Sequence, residues 1–237
     1  AYVPKVVWPN LPLLTSPTYS HKYFVDGSPT SWDAYWGATP TWKTVLVGGL
    51  GAGGKGVYAL DVTNPNSFGD GSVLWEFQGN DAAQQANMGH VMGNVTVARM
   101  QDDNFWAVFG NGFGSTSGKS VLFMVRIDSP STVHMIELGA GTGNGLAQPT
   151  LVDVDGDRII DRIYAGDLKG NVWAVDVTDK FSTKWTWAFG TKTSPRALFM
   201  AKDDSGVAQP ITSGIEVGRA PTPVSGLMVY FGTGKYF

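Results

Sequence analysis

Short apolar runs separated by glycine-rich turns recur along the chain and predict a protein built from β-strands. Each unit has a hairpin of two apolar strands followed by a third strand rich in aromatic residues. The strands cover 44–49, 56–63 and 73–77 in one copy and 162–167, 171–178 and 184–190 in another. A looser copy runs from 106 to 138, and a fourth begins at 227–232. Self-similarity of this kind is typical of repeat architectures.

A further candidate strand precedes each unit, as at 94–98 and 150–152, so a unit contains four antiparallel strands. Four-stranded units in series predict an all-β fold, a modified β-propeller whose blades bury their faces on one another. One short helix is expected at 81–88. About four units are visible, and both ends, 1–4 and 235–237, have strand-like sequence. We therefore expect 1–237 to be a single propeller domain that is truncated at both ends and belongs to a larger propeller.

An acidic loop separates two of the predicted strands. Its aspartates stand at positions one, three, five and nine: Asp153, Asp155, Asp157 and Asp161. A loop that curls back on itself turns alternate side chains inward, and Gly156 eases the bend. Ca²⁺ takes about six to eight oxygen ligands, so the backbone carbonyl of Ile159 is expected to join the four carboxylates. The spacing predicts a Ca²⁺ site.

Two other interpretations of this loop agree less well with its sequence. An EF-hand requires Gly at position six and Glu at position twelve, where the chain has Arg158 and Tyr164, and its flanks should be helices. A solvated acidic turn is the simpler alternative, because Asp and Gly are common in turns. Without a cation, repulsion among the carboxylates is expected to loosen the loop or to raise their pKa values.

Composition narrows the function classes. A chain of 237 residues with 43% hydrophobic residues can bury a large core. A net charge of −3 gives no basic surface for nucleic acid, and no apolar run approaches the length of a membrane span. The absence of cysteine excludes disulfides and thiolate sites. Low charge together with 31 Gly and 9 Trp suits an exported protein, and we expect any export signal to lie outside this chain.

Signals of catalysis are weak. The segment Gly51–Gly56 matches G-x-G-x-x-G, but a predicted strand follows it where a phosphate-binding loop requires a helix. The three histidines are far apart in sequence: His21, His90 and His134. The chain contains neither H-E-x-x-H nor G-x-S-x-G, so we expect no enzyme.

The glycine-rich segments and three of the tryptophans are predicted to have structural roles. The glycine-rich segments 110–114 and 139–145 are predicted to be turns along one rim of the propeller. Trp75, Trp185 and Trp187 recur at matching positions of the repeats, which indicates core or blade-contact residues rather than a ligand stack.

The segments 14–30, 44–49 and 57–63, together with the loop 153–161, resemble the PilY1 and PilC family of type IV pilus tip-associated adhesins. The resemblance spans nearly the whole chain. It implies a modified β-propeller from the C-terminal half of such a protein, in which residues 1–4 form a strand. It also implies that the loop regulates pilus extension against retraction, with four carboxylate ligands and the Ile159 carbonyl.

The resemblance further implies a calcium-binding, non-enzymatic module of pilus biogenesis, adhesion and twitching motility. Its location would be the pilus tip or the outer-membrane-associated surface. Its partners would be minor pilins of the tip complex and a host or abiotic surface. The Arg-Gly-Asp motif of some members is absent, since the nearest tripeptide is 165–167, Ala-Gly-Asp.

Two alternatives stay open. The Ala-Leu-Asp and Trp-containing repeats also resemble quinoprotein dehydrogenases, although the adjacent cysteine pair that is frequent there is missing. A carbohydrate-binding propeller is the third reading, and exposed aromatic residues are its only support.

Overall fold

The computed structural model describes residues 2–139, 141–191 and 193–235. Consecutive strands pair antiparallel and form three successive sheets, each built on four consecutive strands, which we call blades 1 to 3. This confirms the predicted all-β arrangement of four-stranded units.

The strands have the following bounds. Blade 1 contains β1 (Thr30–Trp36), β2 (Thr41–Gly49), β3 (Val57–Asp61) and β4 (Val73–Phe77). Blade 2 contains β5 (Thr96–Arg99), β6 (Phe105–Gly110), β7 (Ser120–Arg126) and β8 (Val133–Gly139). Blade 3 contains β9 (Thr150–Val152), β10 (Arg162–Gly166), β11 (Asn171–Asp176) and β12 (Thr186–Trp187). The last part of the chain adds β13 (Gly190–Thr191), β14 (Ser194–Pro195), β15 (Phe199–Met200), β16 (Glu216–Arg219) and β17 (Leu227–Tyr230).

Strands β13 and β14 form one hairpin, strands β16 and β17 form another, and β15 pairs with β11 at the edge of blade 3. The helix α1 (Ala82–Asn87) confirms the helix expected at 81–88. It begins where the Asp81 side chain accepts a hydrogen bond from the backbone N–H of Gln84, 2.8 Å away, as an N-cap does. Short 3₁₀ segments cover Lys5–Thr15, Gly51–Gly53, Pro65–Ser67, Asp70–Ser72 and Ser182–Lys184.

The core lies between the blades, and strand β7 shows why. Its side chains alternate between the two faces of blade 2. Val121 and Phe123 belong to the apolar cluster shared with blade 1, and Leu122 and Met124 belong to the cluster shared with blade 3. All four are fully buried. A strand covered on both faces needs a continuous apolar sequence, which is the pattern of this run.

Tryptophans join neighbouring blades. Trp75 is buried and donates its indole N–H to the backbone oxygen of Ile127 at the end of blade 2, 3.0 Å away. Trp185 is buried beside blade 3 and meets Trp106 of blade 2 edge to face, with ring centroids 5.4 Å apart. Trp187 is half-buried against the same cluster. The expectation that these three tryptophans are core or blade-contact residues is confirmed.

The first residues do not form the expected strand. Tyr2 and Val6 instead pack against a small apolar cluster that includes Tyr58 and Leu60, on the face of blade 1 that points away from blade 2. The chain from Lys5 then follows a 3₁₀ path that contains Pro9 and Pro12, which cannot donate to a β-ladder. At the other end, Lys235 lies in no strand. Residues 1, 236 and 237 lie outside the described residues.

Among the described residues, none of the helices has both the length and the apolar character needed to cross a bilayer.

Buried polar groups fix the loop after β10. The Asp167 carboxylate is fully buried and accepts hydrogen bonds from three side chains: Asn144 Nδ2 at 3.0 Å, Asn171 Nδ2 at 2.9 Å and Trp173 Nε1 at 2.8 Å. A buried carboxylate is stable only when such donors replace water.

Replacement of Asp167 by Ala should therefore destabilise the fold by about 3 kcal/mol or more, because it leaves several buried N–H groups without an acceptor. Urea unfolding of Asp167→Ala and Asp167→Asn would measure this. The Asn variant keeps one acceptor oxygen and should lose less. An Ala variant as stable as the wild type would contradict this role.

His134 provides a pH-dependent contribution to stability. Burial lowers the pKa of His134, although a contact of its Nε2 with the Trp185 carbonyl, at 3.3 Å, acts in the opposite direction. The unfolded chain therefore binds the proton more readily, and stability should fall as pH drops below about 6.5. Urea midpoints across this range should show a steeper loss in the wild type than in His134→Gln. The exposed His21→Gln variant is the control, and equal slopes in all three proteins would contradict the prediction.

Candidate metal centre

The acidic loop 153–161 connects β9 to β10 at one end of blade 3. The two strands pair up to Val152 and Arg162, so the loop closes a β-hairpin. The backbone N–H of Asp161 donates to the oxygen of Val152, 3.0 Å away, and the Asp161 oxygen accepts from the N–H of Val177 at 3.1 Å. The loop therefore starts and ends on fixed strand positions, as the flanking sequence predicts.

Three of the predicted carboxylates lie together. Asp153, Asp155 and Asp161 each offer an oxygen, and these oxygens lie within 4.8 Å of one another. Asp153 is half-buried, Asp155 is exposed and Asp161 is buried, with 8% of its surface exposed. This acidic cluster could hold a metal ion.

Hydrogen bonds to the backbone shape the loop. The Asp153 carboxylate accepts from the N–H of Gly156 at 2.6 Å and from that of Arg158 at 2.7 Å. Gly156 has a φ of 89°, a left-handed conformation that favours glycine. Arg158 is also left-handed, with a φ of 70°. Two left-handed residues close together bend the chain sharply, which is what turns the carboxylates towards one another.

The expected rise in carboxylate pKa does not occur at Asp153. Desolvation acts to raise the pKa of Asp153, but the N–H groups of Arg158, Gly156 and Asp157 outweigh it and hold this pKa below its usual value. Hydrogen bonds to the charged form favour ionisation. The loop thus keeps this carboxylate charged by its own backbone, which the sequence argument from charge repulsion overlooked.

The other two predicted ligands occupy different positions. Asp157 is not one of the three clustered carboxylates, and its Oδ1 accepts a hydrogen bond from the N–H of Ile159 at 2.7 Å. Ile159 itself is half-buried at the end of the loop. The roles of Asp157 and of the Ile159 carbonyl stay predictions.

A residue that the sequence argument missed touches the cluster. Gln101, in the turn between β5 and β6 of blade 2, donates its amide Nε2 to Asp161 Oδ1 at 3.1 Å. The other oxygen of Asp161 accepts from the N–H of Val154 at 2.8 Å. Gln101 precedes Asp161 by 60 residues, so no local spacing reveals the pair.

The donor set suits a hard cation. The clustered side-chain atoms are all carboxylate oxygens, and the chain has no cysteine. His90 contacts the oxygen of Gly51, and His134 contacts the oxygen of Trp185, so both rings are engaged elsewhere. Oxygen ligands of this kind fit Ca²⁺ and Mg²⁺ rather than zinc or copper.

A groove lies at the end of the blades opposite the acidic loop 153–161. Its volume is about 820 Å³, and it is lined by loop residues that include His90, Phe113, Gly114 and Gly143. Segments 110–114 and 139–145 both contribute to it, which agrees with the rim position predicted for these glycine-rich turns. It holds none of the acidic residues of the loop 153–161.

Comparison with known proteins decides the family. The family model described as the PilY1 beta-propeller domain matches residues 8–237. The chain belongs to the PilY1 family. Membership confirms both the predicted resemblance and the propeller fold. It favours a module of pilus biogenesis over a quinoprotein dehydrogenase or a carbohydrate-binding propeller.

Relatives in the PilY1 family have informative names. A type IV pilus biogenesis factor PilY1 homolog of Xylella fastidiosa strain Temecula1 is 39% identical over 249 residues, covering 100% of this chain and 16% of that protein. The type IV pilus biogenesis factor PilY1 of Pseudomonas aeruginosa strain PAO1 is 37% identical over 254 residues, covering 100% of this chain and 21% of that protein. These names describe biogenesis factors rather than enzymes. The chain spans about a fifth of the length of these relatives.

A solved structure gives the same answer. The crystal structure of the Pseudomonas aeruginosa PilY1 C-terminal domain is similar to this chain, with a TM-score of 0.78 and 35% sequence identity. The match covers 90% of this chain and 45% of that one. The blades described above are therefore a PilY1-type propeller architecture.

Proposed function

We propose that this chain is a calcium-binding propeller domain of a type IV pilus biogenesis and adhesion factor, and that it regulates pilus extension, retraction and twitching motility. The observation that carries the proposal is the acidic cluster of Asp153, Asp155 and Asp161 within a PilY1-family propeller. The names of the relatives, which match the chain over its full length, support the link to pilus biogenesis.

The residues that would hold Ca²⁺ come from the loop itself. The side chains of Asp153, Asp155, Asp157 and Asp161 would supply carboxylate oxygens, and Ile159 its backbone carbonyl. A bound cation would neutralise the negative charges and fix the loop in one arrangement. The backbone donors to Asp153 support this assignment, because they keep that ligand ionised before any cation arrives.

The rest of the proposal concerns the parent protein. The domain acts without catalysis, after export, at the pilus tip or the outer-membrane-associated cell surface. Its partners are minor pilins of the tip complex, and a host or abiotic surface. The pilus biogenesis names of the relatives support this location.

Calcium binding can be measured directly. Titration calorimetry should detect Ca²⁺ binding to the wild type, and the free energy of unfolding should rise by about 2.7 kcal/mol when free Ca²⁺ reaches about a hundred times the Kd. Asp153→Ala and Asp161→Ala should abolish both effects, because each removes a clustered carboxylate. Asp204→Ala, an exposed aspartate outside the loop, should behave like the wild type. The absence of binding heat and thermal shift at millimolar Ca²⁺ would overturn the metal assignment.

The role in pili calls for a test in the source bacterium. A strain whose parent protein carries Asp161→Ala should show altered surface piliation and a smaller twitching zone, at unchanged protein level by immunoblot. A strain with Asp204→Ala should match the wild type. Normal piliation and twitching in the Asp161→Ala strain would reject regulation through this loop.

A further inference from the structure

Blade 2 contacts the acidic loop of blade 3 through both a side chain and the backbone. The Gln101 amide Nε2 donates to Asp161 Oδ1 at 3.1 Å. Beside it, the N–H of Ile160 donates to the oxygen of Arg99 at 3.1 Å, and Met100 and Ile160 form an isolated parallel bridge. The two blades are therefore hydrogen-bonded to each other at the site of the acidic cluster.

The turn 100–104 that carries Gln101 is anchored in the core. The Asp102 carboxylate accepts from the indole N–H of Trp106 at 3.0 Å and from the N–H of Asn104 at 3.2 Å. The N–H of Met100 donates to the oxygen of Asn104 at 3.0 Å, and Met100 is fully buried. Gln101 is thus presented from a fixed turn, and a change in the position of Asp161 must alter its hydrogen bond.

Asp161 is the acidic residue of the cluster for which orientation matters most. It is the buried one, and each of its carboxylate oxygens already accepts one hydrogen bond, from Gln101 Nε2 and from the N–H of Val154. A carboxylate oxygen has a second lone pair, so both oxygens can still face a cation. Hydrogen bonds of this kind orient a metal ligand, and their loss typically weakens metal affinity about 10- to 100-fold.

We propose that Gln101 is a positioning residue that orients Asp161 for the cation, and that cation binding in blade 3 is transmitted to the turn 100–104 of blade 2. The inference rests on the proposed calcium site and extends it to a residue outside the loop. It makes the centre a junction between two blades rather than an isolated hairpin.

The first test compares calcium affinities by calorimetry. Gln101→Leu keeps the bulk of the side chain without its donor, and it should bind Ca²⁺ about tenfold more weakly than the wild type. The smaller Gln101→Ala variant should show the same loss. Gln85→Leu is the matched control, because Gln85 is exposed in α1 and donates to the oxygen of Gly79. Melting temperatures in chelator report whether each variant folds as the wild type does.

The second test is hydrogen exchange measured by mass spectrometry, with and without Ca²⁺. In the wild type, Ca²⁺ should slow exchange in 153–161 and also in the turn 100–104. In Gln101→Leu, protection of the turn should be weaker, because only the backbone contacts of Ile160 with blade 2 remain, while the loop stays protected at saturating Ca²⁺. If Ca²⁺ only raised global stability, exchange in the turn 100–104 would slow equally in the wild type and in Gln101→Leu. That result would contradict transmission through Gln101.

The outcomes separate the two proposals. Absence of Ca²⁺ binding by the wild type overturns the proposed calcium site, and the present inference with it. Wild-type binding that protects 153–161 but not 100–104, or an unchanged affinity in both Gln101 variants, overturns the role of Gln101 and leaves the calcium site intact. The wild-type exchange experiment decides the coupling even if neither variant folds.

Discussion

Each blade has two apolar faces, and neither can be left in water, so the structure depends on blades covering one another. Strand β7 shows this most directly, because Phe123 packs towards blade 1 and its neighbour Leu122 packs towards blade 3. With burial worth about 25 cal/mol per Å² of apolar surface, the stacking of sheets dominates the stability of this fold. Each strand ends at one of the two ends of the stacked blades, where the connecting loops begin. The acidic cluster and the groove of about 820 Å³ both lie in loops at the ends of this stack.

Buried polar side chains fix the loops at the end opposite the acidic cluster. Asn111 and Asp167 follow β6 and β10 at equivalent positions of two blades. Asn111 accepts from the N–H groups of Val121 and Leu146, at 3.1 and 2.9 Å. Backbone groups that leave a sheet still need partners when they are buried, and these two side chains supply them. The repeat therefore consists of polar as well as apolar positions.

Much of the fold was predictable because its signals are local. The central strands are continuous apolar runs, and the succession of four-stranded units follows from them. Strand β1 is the fourth strand expected before the first unit, but its position has no clear sequence signal, because Ala34 is its single buried residue while Trp32 and Tyr35 are exposed. The predicted strand 184–190 is short in the structure: only Thr186–Trp187 pairs with β11, because a 3₁₀ turn precedes Trp185, and its indole N–H donates to the oxygen of Asp179 at 2.7 Å.

Only part of the acidic centre could likewise be predicted from the sequence. The closeness of Asp153, Asp155 and Asp161 follows from a short loop, so sequence spacing could reveal it. The Gln101 contact could not be found that way, because it depends on how blade 2 stacks on blade 3. Asp161 takes part in both kinds of contact, since it ends the loop and lies at the junction of the blades. Its carboxylate is hydrogen-bonded to residues of both blades, whereas the exposed Asp155 contacts only its own loop. The packing of the blades therefore fixes one end of the acidic loop, and in the proposed calcium site it would set the geometry in which the loop meets a cation.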